Sequence, residues 1–265
     1  MKTISVCIPA YEMRGLGHIF LKESFDILVG QTYKDFDVVI CDNSKPENRE
    51  IENLCKEYAD KLDMHYFANP KGTGLASNLN FVIENKCCTG KYIKILGQDD
   101  YLYDKNSLGI IAKNIDQDKD YWVATACIHT MDGKKFVKPH YARYNSMIHL
   151  GYNSIGGLSV ITVKNENIPL FDASLLWLPD CEWYKKCYNE YGAPKILNEI
   201  LTIVRMGDHN ITNVEATMQI RRNDFDVVLP RFEKGFKFWL WKIINRIEYP
   251  FRKLKMVIYK LCQKS

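Results

Sequence analysis

The sequence lacks the features that would place it in a membrane or a secretory route. None of its 265 residues belongs to an apolar run of 18, so no transmembrane helix is predicted. The opening stretch MKTISVCIPAYE reaches Pro9 and Glu12 too early for the apolar core of a signal peptide. The nine cysteines include no C-x-x-C pair, which argues against a zinc site or a disulfide framework. We therefore expect a cytoplasmic protein with reduced thiols.

Three common catalytic motifs are also missing. A nicotinamide enzyme needs G-x-G-x-x-G after its first strand, but Gly15 and Gly17 are followed by Phe20 at the third glycine position. The sequence has no G-x-x-x-x-G-K-[ST] loop and no G-x-S-x-G elbow. Dinucleotide enzymes, P-loop NTPases and α/β-hydrolases are therefore disfavoured.

The first hundred residues alternate between short β-rich runs and apolar residues at helical spacing. The β-rich runs are each closed by Pro, Gly, Asn or Asp, and they cover residues 3–8, 35–41, 64–68 and 91–96. This alternation predicts an α/β fold with a Rossmann-like, mostly parallel sheet flanked by helices. Further along, we expect strands over 121–128 and 158–163, a hairpin turn at Asp132-Gly133, and a helix over 178–192.

Polar or Gly/Pro-rich segments follow each of the first four strands, namely PAYE, CDNS, NPKGTG and GQDD. Ligands of parallel sheets bind at the carboxyl ends of the strands. Asp99 and Asp100 would repel each other there unless a cation offset their charge. Mg²⁺ and Mn²⁺ prefer carboxylate oxygens and share their other positions with phosphates. The pair thus predicts Mn²⁺ or Mg²⁺ beside a bound diphosphate, with a solvated turn as the alternative.

In this order and at these spacings, the segments resemble family 2 glycosyltransferases of the GT-A fold, of the type that builds bacterial surface polysaccharides. SVCIPAYE resembles the opening strand and its P-x-Y-N/E loop, and QTYKDFDVVICDNS resembles the second strand. NPKGTGLASNLNFVIENKCCTGKYIKILGQDD resembles the stretch that leads into the D-x-D motif. The resemblance covers residues 3–105. It implies transfer of a sugar from a nucleotide diphosphate, with inversion and with a divalent metal.

The resemblance also implies roles for individual residues. The implied nucleotide-binding residues are Pro9, Ala10, Tyr11, Glu12, Asp42, Asn43, Asn78, Gln98 and Asp99. The implied metal ligands are Asp99, Asp100 and His209. Asp42 would accept a hydrogen bond from the nucleobase, although closing a turn after its strand is an alternative role. Gly97 stands where the first Asp of D-x-D usually lies, so one carboxylate plus water would carry the ion.

Two later segments resemble the acceptor side of the family. SIGGLSVITVKN resembles its glycine-rich segment, and LPDCEWYKK resembles the helix start that carries the catalytic base. Contacts to the donor sugar or acceptor are implied for Gly156, Gly157 and Trp177. Inverting transfer needs a carboxylate to deprotonate the acceptor hydroxyl. We predict Asp180 for this role, since a helix start keeps it ionised, with Glu182 as the second candidate and simple helix capping as the alternative.

The C-terminal residues 231–265 carry ten Lys and Arg against two Glu, whereas the remainder carries 26 against 30 acidic residues. Basic and large apolar residues alternate there at helical spacing, which suits an amphipathic helical tail on an anionic membrane. Packing against the domain's own core is the alternative, and no nucleic-acid-binding motif accompanies the run. We expect a nucleotide-sugar-binding half over 1–110, an acceptor-binding half of the same domain over 111–230, and this tail.

The combined prediction is an inverting glycosyltransferase that acts on a nucleotide-diphosphate sugar, with a UDP-sugar favoured. Its acceptor would be a glycan or a lipid-linked glycan in O-antigen or capsule synthesis at the inner face of the membrane. One alternative is a catalytically inactive GT-A module that binds a nucleotide or a membrane, as the missing Asp at Gly97 would allow. Another is a sugar nucleotidyltransferase, but the loop after the first strand offers only Arg14 as a basic residue.

Overall fold

The computed structural model describes residues 2–72, 74–207 and 218–246. The strands of this part are β1 (Ile4–Ala10), β2 (Phe36–Asp42), β3 (Met64–Ala68), β4 (Tyr92–Ile95), β5 (Tyr101–Leu102), β6 (Trp122–Thr130), β7 (Phe136–His140), β8 (Ile161–Lys164) and β9 (Lys195–Arg205). Its α-helices are α1 (Gly17–Val29), α2 (Glu50–Tyr58), α3 (Gly74–Glu84), α4 (Ser107–Asn114), α5 (Pro179–Tyr191), α6 (Met218–Phe232) and α7 (Gly235–Arg246).

The strands form one sheet in the order β3-β2-β1-β4-β8-β6-β9-β5, with β7 paired to β6. The first four strands are parallel, as the alternation of strand and helix predicts. The second half is mixed, because β8 runs antiparallel to both β4 and β6 while β9 runs parallel to β6. The carboxyl ends of β1, β2, β3 and β4 therefore open on one edge of the sheet.

Helices cover both faces of the parallel strands, so every residue of β1 and β2 is buried. Alternate residues enter opposite cores. Cys7 and Val39 face the side that carries α3 and α5, while Val6, Ile8 and Val38 face the side that carries α1 and α2. The strand faces are thus closed to a ligand, and only the strand ends remain. The eight cysteines of the described residues are buried and unbridged.

The structure places several elements differently from the sequence pattern. Residues 158–160 form a 3₁₀ turn, and the strand predicted from 158 begins at Ile161. The hairpin at Asp132-Gly133 joins β6 to β7, with Gly133 at φ +72°. The short strand β5, the helix α4 and the long strand β9 have no counterpart in the prediction.

The expected tail begins inside a helix that belongs to the domain. Arg231 lies in α6 and pairs with Glu182 of α5 at 2.9 Å. The following helix, α7, buries Trp241 and Ile244 in a cluster with Met147, Leu150, Phe225 and Leu229. Its other face exposes Phe236, Trp239 and Ile243. The amphipathic helix is therefore present, while residues 247–265 lie outside the described part. No described helix combines the length and the apolar character needed to cross a membrane.

Candidate active site

Asn78 of α3 ties the ends of β1 and β2 together. Its Nδ2 donates hydrogen bonds to the carbonyl oxygens of Ala10 and Cys41, at 3.1 and 3.0 Å, and to Asn43 Oδ1 at 3.1 Å. Its Oδ1 accepts one from Asn69 Nδ2 at 3.1 Å. The side chain is 2% exposed. Asn78, predicted as a nucleotide-binding residue, thus lies beneath the strand ends and holds two strand residues and two loop residues in place.

The carboxylate of Asp42, at the end of β2, is engaged on both oxygens. Oδ1 accepts a hydrogen bond from the backbone N–H of Ser44 at 2.8 Å, and Oδ2 accepts one from the Tyr66 hydroxyl at 3.0 Å. Burial and the neighbouring Asp42 charge raise the pKa of Tyr66, so its hydroxyl remains a donor. The turn role considered for Asp42 is therefore present. The same contacts hold the carboxylate in one orientation beside Asn43.

Gln98 fastens the loop after β4 to the loop after β1. Its Nε2 donates to the Tyr11 carbonyl at 2.8 Å and its Oε1 accepts from the Tyr11 N–H at 2.9 Å. A Cβ on Gly17 would lie only 2.2 Å from the Tyr11 carbonyl oxygen, so glycine is required where α1 begins. Pro9 and Ala10 complete β1, while Tyr11 is 36% exposed beside Glu12. These four predicted residues lie together at the strand edge.

Asp100 is buried at the end of the GQDD segment and is held from two distant segments. Ser159 Oγ donates to its Oδ2, and the Arg205 backbone N–H donates to its Oδ1 at 2.8 Å. Burial and the adjacent Asp99 charge raise the pKa of Asp100 to about 7. Lys94 is also buried, donates its Nζ to the Ser159 carbonyl, and has its pKa lowered by burial to about 7. A buried amine and a buried carboxyl thus flank Ser159.

Arg205 fixes the same segment from β9. Its Nε donates to the Asp99 carbonyl at 3.2 Å and its guanidinium pairs with Glu23 of α1. The guanidinium also lies over the rings of Phe20 and Tyr101, at 4.8 and 5.6 Å from their centroids. These contacts describe a positioning residue for Asp99 and Asp100. In the sequence Arg205 is only one of several basic residues that could neutralise phosphates, and the positioning roles of Arg205 and Ser159 depend on β9 and on the turn at 158–160, which the sequence pattern does not predict.

Gly97 occupies the place of the missing Asp for a steric reason. A Cβ at this position would lie 2.9 Å from Asp100 Oδ2 and 3.0 Å from Ser159 Oγ. Its N–H donates to Ser159 Oγ at 2.7 Å. The Ser159–Asp100 pair therefore fills the space that a side chain at position 97 would need.

Asp180 is the second residue of α5, after Pro179. Its Oδ2 accepts a hydrogen bond from Asn153 Nδ2 at 2.6 Å, and its Oδ1 accepts one from the Cys181 N–H at 2.7 Å. Burial raises the pKa of Asp180, and these hydrogen bonds oppose that rise. The carboxylate therefore faces the 153–157 segment with a fixed orientation and a pKa above its ordinary value.

Glu182, the second candidate base, has a different environment. Its side chain is fully buried, and Oε1 pairs with Lys186 Nζ and with Arg231 Nη1, each at 2.9 Å. A carboxylate enclosed by two cations binds α6 to α5 and has little access to an acceptor. Asp180 is therefore the better candidate for the catalytic base.

The glycine-rich segment is linked to Asp180 through Asn153, and Trp177 lies two residues before α5 in the chain. Gly156 has φ +117°, and its carbonyl accepts hydrogen bonds from Asn153 and from the Tyr184 hydroxyl. Gly157 is exposed. The backbone N–H of Trp177, just before α5, donates a hydrogen bond to Asp224 Oδ2 at 2.6 Å. His209, a predicted metal ligand, lies outside the described residues. Within 2–72, 74–207 and 218–246, no group of three or more His, Cys, Asp or Glu side chains has the geometry of a metal site.

Comparisons with known proteins agree with this architecture. The family profile described as Glycosyl transferase family 2 matches residues 5–174. An uncharacterized glycosyltransferase of Rickettsia typhi is 27% identical over 79% of this chain and 66% of its own length. One from Rickettsia felis is 33% identical over 38% of this chain and 15% of its own. The chain thus spans less than two thirds of these curated relatives.

Two solved structures share the fold at low sequence identity. S. aureus TarS in complex with UDP-GlcNAc is 14% identical, with a TM-score of 0.66 over 94% of this chain and 74% of that one. The mannosyltransferase PcManGT of Pyrobaculum calidifontis, in complex with GDP-Man and Mn²⁺, is 13% identical, with a TM-score of 0.65 over 98% and 74%. These likenesses confirm the predicted GT-A type of α/β fold.

Proposed function

This chain belongs to glycosyl transferase family 2, and on that basis we propose that it is an inverting glycosyltransferase that takes a sugar from a nucleotide-diphosphate donor. The observation that carries the proposal is the convergence of the β1, β2 and β4 ends through Asn78 and Gln98. This convergence forms one rigid, polar edge, and such edges are where α/β sheets bind ligands.

The nucleotide would lie on this edge, against Tyr11 and Glu12 after β1 and Asp42 and Asn43 after β2. We favour a UDP-sugar. The bound ligands of the two structural neighbours, UDP-GlcNAc and GDP-Man, support a nucleotide-diphosphate sugar as the donor class, but they do not distinguish uracil from guanine as its nucleobase. Hydrogen bonds from Ser44 and Tyr66 already fix the Asp42 carboxylate. Asp42 would therefore present this carboxylate to the nucleobase without a change in its own conformation.

Asp99 and Asp100 would suit a hard divalent cation, Mn²⁺ or Mg²⁺, because they supply two carboxylates in the loop that follows β4. Ser159 and Arg205 engage both oxygens of Asp100, so we assign Asp99 the main contact and Asp100 a supporting one. When bound, the ion would neutralise charge on the diphosphate leaving group. The Mn²⁺ in the complex of PcManGT supports this assignment. His209 is kept as a further candidate ligand.

Asp180 would act as the base. As the acceptor hydroxyl oxygen forms its bond to C1 of the sugar, the proton passes to Asp180. The bond between C1 and the diphosphate oxygen breaks, and the nucleoside diphosphate leaves with the electron pair. Attack from the face opposite the leaving group inverts C1. Gly156 is linked to Asp180 through Asn153, and Gly156, Gly157 and Trp177 would contact the donor sugar or the acceptor.

The acceptor is proposed to be a glycan or a lipid-linked glycan of a bacterial surface polysaccharide, with the protein bound peripherally at the inner face of the membrane. A partial relative, the minor teichoic acid biosynthesis protein GgaB of Bacillus subtilis, supports the class of polymer at 28% identity over 36% of this chain and 10% of its own length. In α7 the side chains of Phe236, Trp239 and Ile243 are 80%, 60% and 61% exposed, on a helix that also carries Lys237 and Lys242. Exposed aromatic and basic residues on one helix suit an anionic bilayer surface.

Calorimetric titration with UDP, GDP and dTDP, in Mn²⁺ and then in EDTA, tests the donor site. We expect micromolar binding of one nucleotide, weaker binding in EDTA, and loss of the metal-dependent part in Asp99→Ala. Asp118→Ala is the matched control, because Asp118 is exposed in a turn near the other end of β4. Failure of all three nucleotides to bind would refute the proposal.

Turnover separates an enzyme from a binding module. We expect release of nucleoside diphosphate from UDP-GlcNAc, GDP-mannose or another nucleotide sugar, and loss of that release in Asp180→Asn with nucleotide binding retained. Tight nucleotide binding without release, over a broad screen of donors and acceptors, would instead identify an inactive module. Gly97 keeps that second candidate open, because it removes one carboxylate from the metal motif.

A further inference from the structure

Asn153 lies between the candidate base and the glycine-rich segment and uses the two ends of its amide for different contacts. Its Nδ2 donates to Asp180 Oδ2 at 2.6 Å and to the Gly156 carbonyl at 2.9 Å. Its Oδ1 accepts from the backbone N–H groups of Ile155 and Gly156, at 3.1 and 2.9 Å. The acceptor end therefore closes a local turn, while the donor end reaches another element.

Gly156 is held from α5 as well. The Tyr184 hydroxyl, one helical turn after Asp180, donates to the same Gly156 carbonyl at 3.0 Å. The ring of His140 packs on the other side, 3.4 Å from where a Cβ of Gly156 would lie, and the φ of +117° also requires glycine. The Gly156 peptide is thus fixed relative to Asp180 by Asn153 and Tyr184 together.

We propose that Asn153 is a positioning residue, which orients the carboxylate of Asp180 and couples it to the Gly156 segment where the acceptor is expected. This inference rests on the proposed role of Asp180 as the base. A base must be held within a fraction of an ångström of its productive position, and a second hydrogen-bond partner achieves this. Oδ1 of Asp180 is held by the Cys181 N–H, and Asn153 fixes Oδ2.

The contact also has an electrostatic consequence. Burial raises the pKa of Asp180, and the hydrogen bond from Asn153 lowers it, because that bond stabilises the charged form. Within the described part of the chain, Cys181 and Tyr184 are titratable groups that interact with Asp180. Burial raises the pKa of both well above their ordinary values, so both stay neutral. His140 lies beyond Gly156 and packs on that residue.

Asn153→Asp separates the two tasks of the side chain. The aspartate keeps an oxygen for the Ile155 and Gly156 N–H groups, so the turn is retained. It loses both donated hydrogen bonds and places a like charge beside Asp180. Asn145→Asp is the matched control, because Asn145 Oδ1 also closes a turn, to the Met147 N–H at 2.9 Å, away from Asp180.

We expect Asn153→Asp to lower kcat on the order of 10- to 100-fold while changing KM for the nucleotide sugar far less. The acid limb of the pH profile should move to higher pH. Activity is measured as nucleoside diphosphate release from UDP-GlcNAc and from GDP-mannose. The Asp180 carboxyl is titrated in parallel by NMR, with ¹³C-labelled aspartate and Asp180→Asn for assignment, and this titration needs no substrate. Asn145→Asp should match the unmodified protein in nucleoside diphosphate release and in the NMR titration of Asp180.

An Asp180 titration unmoved by Asn153→Asp would overturn the inference, and so would an unchanged kcat. Inactive Asp180→Asn in the same experiment would leave the proposed function standing. Active Asp180→Asn would instead remove the proposed base. Thermal unfolding of each variant shows whether the turn at 153–156 has been preserved.

Discussion

The hydroxyl of Ser159 donates a hydrogen bond to the buried carboxylate of Asp100, 59 positions away in the sequence. The same hydroxyl accepts the N–H of Gly97, and the Ser159 carbonyl accepts Lys94 Nζ. One serine therefore organises the end of β4 from the opposite half of the domain. The acidic pair at 99–100 is held in place by the segment that leads on from the glycines at 156–157.

Replacing Ser159 by alanine should destabilise the protein and weaken metal-dependent nucleotide binding. Oδ2 of the buried Asp100 carboxylate would lose its hydrogen bond from Ser159, while Oδ1 keeps the one from the Arg205 N–H, and an unsatisfied buried acceptor costs about 1–3 kcal/mol. The measurements are the free energy of unfolding in urea and the calorimetric affinity for UDP in Mn²⁺.

Ser24→Ala is the control for this experiment. Ser24 is 1% exposed, and its hydroxyl has no hydrogen-bond partner in the described structure. Removing that hydroxyl should leave the free energy of unfolding unchanged or slightly improved. Equal losses in the two variants would contradict the role of the Ser159–Asp100 hydrogen bond.

Adding a side chain at Gly97 should lower the free energy of unfolding, even though the resemblance to the D-x-D motif implies an aspartate there. Gly97→Ala would place its Cβ against Asp100 and Ser159, and overpacking of this kind costs about 1–3 kcal/mol. Gly97→Asp should be worse and should not raise the affinity for Mn²⁺. Calorimetry with Mn²⁺ and urea unfolding give the two readouts.

Gly109→Ala is the counterpart on α4. A Cβ there meets its nearest neighbour, Tyr33 Cβ, at 3.6 Å, an ordinary contact, and alanine favours a helix. This variant should be neutral or more stable. If Gly97→Asp instead bound Mn²⁺ more tightly with normal stability, the steric account of the missing aspartate would be wrong.

Serine substitutions at Phe236, Trp239 and Ile243 should abolish sedimentation with vesicles of phosphatidylcholine and phosphatidylglycerol. These side chains are 60% to 80% exposed, so the fold should be retained. Binding of the unmodified protein should fall in high salt and on vesicles of phosphatidylcholine alone, because the helix also carries Lys237, Lys242 and Arg246.

Met131→Ser controls for loss of an exposed apolar side chain elsewhere, since Met131 is 63% exposed in the β6–β7 turn. Unchanged sedimentation of the triple variant would exclude α7 as the contact. A concentration-dependent dimer that disappears in the triple variant would identify a second copy of the chain as its partner.

Acidification below neutral pH should loosen the C-terminal helices. Burial lowers the pKa of His149, and its contact with Glu233 at 3.0 Å lowers the pKa of that carboxyl. In both cases the unfolded chain binds more protons, so the contribution of this pair to stability falls as the pH drops from about 7 through the ordinary His range and then the Glu range.

His149→Gln should reduce the first part of this loss, because glutamine keeps a donor for Glu233 but does not titrate. Thermal unfolding at several pH values between 7 and 4 provides the measurement. The same dependence on pH in both proteins down to pH 5 would contradict the assignment to His149.

The parallel half of the fold and the location of its site follow from local sequence pattern. Each of the first four strands is a short β-rich run closed by Pro, Gly, Asn or Asp, so pattern alone places Asp42 and Asp99 at one edge. Ser159, Arg205 and Asn153 could not be found in this way. Their roles depend on contacts between segments 27 to 106 positions apart, made by a turn and a strand that carry no periodic signal.

For the C-terminal helix α7, the sequence pattern predicts the amphipathic helix but not which apolar side chains are buried. From the sequence, membrane contact and packing on the domain are alternatives for its apolar residues. In α7 they occur on two faces, with Trp241 and Ile244 buried while Trp239 and Ile243 are exposed. A spacing of two residues along one helix is enough to separate them, because successive residues turn by about 100°.

That two-faced helix decides how the protein can be shortened. A chain cut before residue 231 would lose Arg231, the partner of Glu182, together with two aromatic or aliphatic side chains that complete a core cluster. The truncated protein would expose Phe225 and Leu229, and it would aggregate or unfold whether or not the full chain binds a membrane. Truncation is therefore a test of folding for this molecule, and only point changes on the outer face of α7 test its surface.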